Sequence, residues 1–248
     1  MRVESYAKIN WSLHIIGKRA DGFHDIETIF QTISLHDTLT FERADRFTLT
    51  CDDPAIPVDE TNLVARAAHA LGVEKVAIHI EKRIPAGGGL GGGSSNAAAT
   101  LVALSKMFAI KVPLEKIALD LGSDVPFFLV GGRAHATGRG EIITPLEDLA
   151  PEPLLLVLPE ERVMTTEAFR MWNGTHDPVN DFEPPVFAKL PRLREYKQRL
   201  LDVGASWAAM SGSGSTIVGR FESAAARDRA AAHFADLRVE RAETITGV

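Results

Sequence analysis

Apolar residues in the first part of the chain recur at alternate positions, the period of a strand with one buried face. Runs at Ala7–Ile15, Glu27–Leu35, Leu39–Phe41 and Thr48–Thr50 therefore predict strands. Polar Glu60-Thr61-Asn62 ahead of Leu63 supplies capping groups for a helix over Asn62–Leu71. Val76, Ile78, Ile80 and Ile84 resume the strand rhythm, and the alanine-rich stretch Ser94–Met107 reads as a helix. A helix restarts after Pro113, and short strands are expected at Ala134–Gly138 and Ile142–Thr144 around Gly138-Arg139-Gly140. The proline- and acid-rich stretch Thr144–Pro153 marks a boundary, which divides the chain into domains 1–148 and 149–248. Beyond it come a strand (Leu154–Leu158), helices (Thr166–Trp172, Lys189–Leu201), two strands (Trp207–Met210, Thr216–Phe221) and a helix (Ala224–Leu237). Strands and helices grouped in blocks predict an α+β fold rather than a doubly wound sheet.

Between the predicted strand ending near Ile84 and the alanine-rich helix lies Pro85-Ala86-Gly87-Gly88-Gly89-Leu90-Gly91-Gly92-Gly93-Ser94-Ser95. A loop without Cβ atoms lets main-chain N–H groups approach a ligand, and the helix that follows adds unpaired donors and the positive end of its dipole. Strand, glycine loop and helix together make an anion site whose usual occupant is phosphate. A P-loop would place lysine before the serine, and Ser94 follows Gly93 directly. Gly87, Gly89 and Gly92 match G-x-G-x-x-G, yet no acidic residue closes a second strand about 20 positions on, as dinucleotide binding requires. A flexible linker does not normally join a strand to a strong helix.

With 45% apolar and 24% charged residues the composition is that of an ordinary globular protein. A net charge of −6 argues against a nucleic-acid partner, which needs clustered Lys and Arg. No apolar run is long enough to span a membrane, and Met1–Ser5 begins no apolar export signal, so a cytoplasmic location is expected. The single cysteine, Cys51, forms no internal disulfide and fits a reducing compartment. The eight histidines show no HxxxH or HExxH spacing, so a zinc site is not expected. No protein partner is inferred.

Four segments in order make the chain resemble the GHMP small-molecule kinases. They are Ala7-Lys8-Ile9-Asn10 with Arg19–His24, the glycine loop through Asn96, Leu121-Gly122-Ser123-Asp124-Val125-Pro126, and Met210-Ser211-Gly212-Ser213-Gly214-Ser215. The resemblance covers nearly the whole chain. It implies a ribosomal-protein-S5-domain-2-like N-terminal domain, a ferredoxin-like C-terminal domain, and a cleft between them that binds ATP and Mg²⁺. Pro85–Ser95 would cradle the nucleotide. The resemblance also offers a serine at this point as a metal ligand, but the sequence chooses neither between Ser94 and Ser95 nor between a protein ligand and none, so no metal ligand is assigned.

Asp124 is the candidate base, facing the alternative that it caps the helix its apolar neighbours predict. Lys8, out of pattern among apolar strand residues, is either a solvated edge lysine or the cation that orients Asp124. The resemblance favours the catalytic reading of both and gives Asn10 a hydrogen bond to substrate. It also implies that the Asp21–His24 turn reads a cytosine ring, so the acceptor would be a cytidyl diphosphate alcohol. His24 would supply hydrogen bonds and Phe23 stacking, although the family usually has tyrosine at this position. Phe169 would form a second aromatic wall, Thr165 a polar contact, and Ser211, Gly212, Ser213 and Gly214 a second cradle. The short Gly72–Lys75 connection departs from family members with a longer insertion there, so no adenine-contacting residue is assigned. A GHMP kinase for another alcohol, or a nucleotide-binding module without turnover, are the competing readings.

Overall fold

Two sheets, one in each half of the chain, carry the fold of the computed structural model, which describes residues 1–247. The chain opens with two long antiparallel strands, β1 (Arg2–Lys18) and β2 (His24–Arg43), which pair along almost their whole length. Sequence alternation predicted two strands within the second of these, at Glu27–Leu35 and Leu39–Phe41. They are one, because a bulge shifts the register from Tyr6–His36 to Ala7–Ile33 and turns Asp37 inward where the pattern looked broken.

Next come β3 (Thr48–Cys51), the helix α1 (Leu63–Ala70) and β4 (Val76–Glu81). Asn62 caps α1, its Oδ1 accepting the Val64 amide at 2.9 Å. The alanine-rich helix α2 (Gly92–Phe108) starts two residues earlier than expected, because Gly91 at φ +71° sets the turn into it. After it come α3 (Leu114–Leu121), α4 (Val125–Val130), β5 (Arg133–Thr137) and β6 (Ile142–Pro145).

The second half contains β7 (Pro153–Leu158), α5 (Thr165–Met171), α6 (Glu183–Lys189), α7 (Pro191–Asp202), β8 (Trp207–Met210), β9 (Ile217–Arg220), α8 (Ala224–Ala231) and β10 (Arg238–Glu243). The helix expected over Lys189–Leu201 is divided at Leu190. Lys189 ends α6, whose prolines sit in its first turn where their missing N–H costs nothing. The helix expected to reach Leu237 ends at Ala231 and tightens into a 3-10 turn at Ala232–Phe234. The charged edge strand β10 was not expected from its sequence at all.

In the larger sheet β2 is the axis. β1 runs along one side, while β4 and β5 share the other, with β3 and β6 outside them. The smaller sheet is antiparallel throughout, in the order β10-β7-β9-β8. The blocks of strands and helices make the fold α+β, as read from sequence. The two halves are sewn together along β1 and β2. Leu13 exchanges main-chain bonds with Val179 (2.8 Å) and Asp181 (3.0 Å), and the Ile245 amide donates to Thr32 O at 3.0 Å. A cleft of about 1580 Å³ opens between them, lined from both sides.

Candidate active site

The glycine loop is held by its carbonyls. Those of Gly88, Gly89 and Leu90 accept, in turn, the Thr216 amide (3.3 Å), the Ser211 hydroxyl (3.0 Å) and the Lys8 amide (3.0 Å). Among the described residues no amide of Gly87–Gly93 donates a hydrogen bond, so a run of donors lines the cleft unpaired at the start of α2. The loop has no room for side chains. A Cβ on Gly89 would lie 2.0 Å from Ser211 O, and one on Gly91 would lie 2.7 Å from the Phe128 ring.

Pro85–Ser94 all line the cleft, but Ser95 does not. Its hydroxyl bonds the Tyr6 carbonyl (2.6 Å) and the Ser5 hydroxyl (2.7 Å), and its amide is spent on Gly91 O. One helical residue beyond Ser94 turns the side chain away from the cleft by about 100°. Of the two serines, only Ser94 faces the cleft.

Behind the loop, Asp37 is fully buried and accepts four hydrogen bonds. These come from Lys82 Nζ (2.6 Å), Asn96 Nδ2 (2.9 Å) and the amides of Arg83 (2.7 Å) and Ile84 (2.8 Å). This cluster fixes the segment that leads into Pro85. Sequence reasoning missed it; the out-of-pattern Asp37 between apolar runs was its only signal. The same end of the cleft is lined by Ile56, Asn62, Leu63 and Ile80.

Lys8 and Asn10 lie two apart on β1 and so share a face. Lys8 is 4% exposed, which rules out a solvated edge lysine. Its Nζ donates to Asn10 Oδ1 at 2.6 Å and stands 3.8 Å from Asp124 Oδ2, too far for a hydrogen bond to the carboxylate. Asn10 is held in turn by Thr28 Oγ1 at 2.7 Å, so much of its amide serves to aim Lys8. Burial pushes the Lys8 pKa below its ordinary value and Asp124 offsets part of the shift. Asp124 occupies the N-cap position of α4 but makes no capping bond, so its carboxylate is left to the cleft.

The loop between β8 and β9 divides by role. Gly212 and Ser213 line the cleft. Ser211 and Gly214 do not: Ser211 is 1% exposed and bonds Gly89, while Gly214 packs against Met210. Expected to bind substrate, these two instead brace the glycine loop. Asn180, which the sequence did not signal, fixes this loop by donating to Met210 O (2.7 Å) and Gly212 O (2.8 Å).

At the opposite end His24 stacks on Phe169, ring centroids 4.7 Å apart and planes 11° apart. Trp172 meets the His24 ring edge-on, at 6.1 Å. Burial, then the nearby Lys18, lowers the His24 pKa, which favours a neutral imidazole with one donor and one acceptor nitrogen. Phe23 is half exposed under the Arg139 guanidinium, and the Thr165 hydroxyl lies 3.1 Å from that of Ser213. The structure thus brings Lys8, Asn10, Phe23, His24, Asp124, Thr165, Phe169, Gly212, Ser213 and Pro85–Ser94 to one cleft, and leaves Ser95, Ser211 and Gly214 behind it.

The family profile "GHMP kinases N terminal domain" matches residues 62–132 and "GHMP kinases C terminal" matches 166–237. The chain is 41% identical to "4-diphosphocytidyl-2-C-methyl-D-erythritol kinase" of Chlorobium phaeobacteroides (strain BS1), over 94% of this chain and 93% of that one. It is 40% identical to the protein of the same name from Protochlamydia amoebophila (strain UWE25), over 87% and 83%. A crystal structure of 4-(cytidine 5'-diphospho)-2C-methyl-D-erythritol kinase superposes with a TM-score of 0.87 at 35% identity, covering 98% of this chain and 99% of that one. A homoserine kinase from Cytophaga hutchinsonii ATCC 33406 shares the fold at TM-score 0.68 and 17% identity, covering 98% and 95%. With profile matches in both halves and relatives aligned over nearly its full length, the chain belongs to the GHMP kinases, in the 4-diphosphocytidyl-2-C-methyl-D-erythritol kinase family.

Proposed function

We propose that the protein transfers the γ-phosphate of ATP to the 2-hydroxyl of 4-(cytidine 5'-diphospho)-2-C-methyl-D-erythritol, a step of the non-mevalonate route to isoprenoid precursors in the cytosol. The observation that carries this is one cleft with unpaired glycine-loop amides at one end, the His24–Phe169 stack at the other, and Lys8 beside Asp124 between them. Residues 1–148 act as the nucleotide domain, and residues 149–248 close the acceptor side.

Phosphoryl transfer asks a protein for alignment and charge cancellation rather than covalent chemistry. The amides of Gly87–Gly93 grip the triphosphate, and the apolar end near Ile56, Leu63 and Ile80 takes the adenine. Lys8 is a buried ammonium with one hydrogen-bond partner, Asn10, so two of its protons are available to an anion. It cancels charge developing on the transferred group, and Asp124 accepts or orients the proton of the acceptor hydroxyl. His24 reads the cytosine edge and Phe169 and Phe23 offer it flat faces.

Magnesium fits this donor set. Among the described residues no three His, Cys, Asp or Glu side chains converge, which suits an ion that leans on substrate phosphates and water with one or two protein oxygens. Ser94 and Asp124 would supply those oxygens, and the bound ion would neutralise phosphate charge.

The test is phosphorylation of the cytidyl alcohol by ATP and Mg²⁺, set beside mevalonate, homoserine and sugar acceptors. A strong preference for the cytidyl alcohol is expected. Equal or better turnover of another alcohol would overturn the acceptor assignment, and ATP binding without transfer to any of them would overturn the kinase.

A further inference from the structure

The cleft is lined by the cations Lys8, Lys18, Lys82, Arg139, Arg162 and Arg170. Lys82 is committed to Asp37, and Lys8 stands beside Asp124 at the reacting end, where it faces the transferred group. Arg139 is distinguished by where the fold holds it. Its guanidinium carbon lies 4.7 Å from the centroid of Phe23, at the base-reading end. The next residue, Gly140, packs against the opposite landmark, since a Cβ there would lie 3.9 Å from Asp124 Oδ1. Arg139 therefore stands between the aromatic wall and the carboxylate that faces the reacting hydroxyl.

The turn that carries it is fixed. The Ile26 amide donates to Gly138 O at 2.7 Å, and the Glu141 carboxylate accepts the Arg139 amide and lies 3.6 Å from its Nε. Only that inner edge of the guanidinium is engaged. Among the described residues, Nη1 and Nη2 donate no hydrogen bond, and the closest approach of Glu141 is to Nε, which leaves the donors of the forked edge unspent beside the cleft.

We infer that Arg139 clamps the diphosphate of the acceptor and is the residue by which this cleft selects a diphosphate-linked alcohol over a neutral one. The inference rests on the acceptor reading above. A ligand with its base at His24 and Phe169 and its reacting hydroxyl at Asp124 must carry its diphosphate through the space between, because the diphosphate joins the two ends covalently. Asp124 lines that stretch and repels a polyanion, so a diphosphate passing it needs a cation with unspent donors close by. A planar fork meets phosphate oxygens two at a time, which a lysine ammonium does not.

The test compares CDP with cytidine. Both are titrated calorimetrically into wild type, Arg139→Met and Arg139→Lys, with binding of a non-hydrolysable ATP analogue as the check that each variant is folded. Loss of a charge-assisted contact should weaken CDP about 10- to 100-fold in Arg139→Met, while cytidine changes less than about twofold. Arg139→Lys should recover part of the loss. In steady-state kinetics the damage should fall on the acceptor KM rather than on kcat. Equal weakening of CDP and cytidine would reduce Arg139 to a prop for Phe23, and unchanged CDP affinity would remove it from binding; either result overturns the inference. Wild-type turnover of the cytidyl alcohol is measured first. Its absence would end the acceptor reading and this inference together, whereas turnover that is indifferent to Arg139→Met would end this inference alone.

Discussion

Asp37 is where a change remote from the reacting atoms should cost most. It is fully buried, and its four donors are the Lys82 ammonium, the Asn96 amide and the main-chain N–H groups of Arg83 and Ile84. Asp37→Ala strands Lys82, whose side chain is only 7% exposed, as a charge without its partner. Breaking a buried pair in this way typically costs about 3–5 kcal/mol. Each stranded amide would add about 1–3 kcal/mol if it stayed dry. Because Lys82 lines the cleft, water can reach the gap and relieve part of that sum. A total near 5 kcal/mol is therefore expected, against a whole-protein stability of about 5–15 kcal/mol. Asp37→Asn separates the contributions. Oδ1 serves both main-chain amides and Oδ2 serves Lys82 and Asn96. An asparagine with its oxygen in the first position keeps the amides and turns an NH₂ toward two other donors, for a loss of about 3 kcal/mol.

Urea unfolding of wild type and both variants measures these losses, and titration of an ATP analogue measures the consequence for the loop. The segment Arg83–Ile84 leads straight into Pro85, so ATP affinity should fall in Asp37→Asn under conditions where the variant is still folded. Lys82→Met should cost less in the Asp37→Asn background than in wild type, because the pair has already been broken. A loss under 1 kcal/mol in Asp37→Asn, or full ATP affinity in that variant, would refute the view that this buried cluster holds the nucleotide loop in shape.

What could be read from sequence divides along physical lines. The glycine loop and Lys8 stood out because each breaks a local rule, too many glycines before a helix and a lysine within an apolar strand; Asp124 at a helix start obeys one, and only the resemblance singled it out. Local rules do not report which way a side chain faces across a turn. Ser94 and Ser95 are chemically identical, and only the helical rotation of α2 turns one to the cleft and the other to Tyr6 O. Ser211 and Gly214 read as a second cradle for the same reason; their neighbour across the fold, Gly89, is 122 residues from Ser211 in sequence. Asn180 and Asp37 act through contacts of equally long range, so no local pattern announces them. The elements tell a similar story. Alternation located most strands, but β10 is an edge strand of alternating charge whose pairing with β7 is a tertiary fact.

Asp124→Ala should lower kcat by at least about a hundredfold while ATP affinity stays within a few-fold, measured by coupled kinase assay and calorimetry; near-normal turnover would remove Asp124 from its role. Gly89→Ala puts a Cβ 2.0 Å from Ser211 O at φ +77°, so left-handed strain and overpacking should together cost about 2–5 kcal/mol and lower both Tm and ATP affinity. An unchanged melting curve would show that the two loops are less tightly joined than their contacts indicate. Burial first, with Asp124 opposing, holds the Lys8 pKa below its ordinary value of 10.5. Between the lowered folded value and 10.5 the unfolded chain binds a proton at Lys8 that the folded protein does not, so this residue's contribution to stability rises with pH through that window. Activity has the opposite sign, since the charged ammonium is the working form: kcat/KM should fall as pH climbs through the folded value, with a midpoint below 10.5. Lys8→Met should erase the rise in stability, read from urea unfolding at neutral and alkaline pH. A Lys8→Met curve that still rose in parallel with wild type would show that the buried ammonium is not what the pH change titrates.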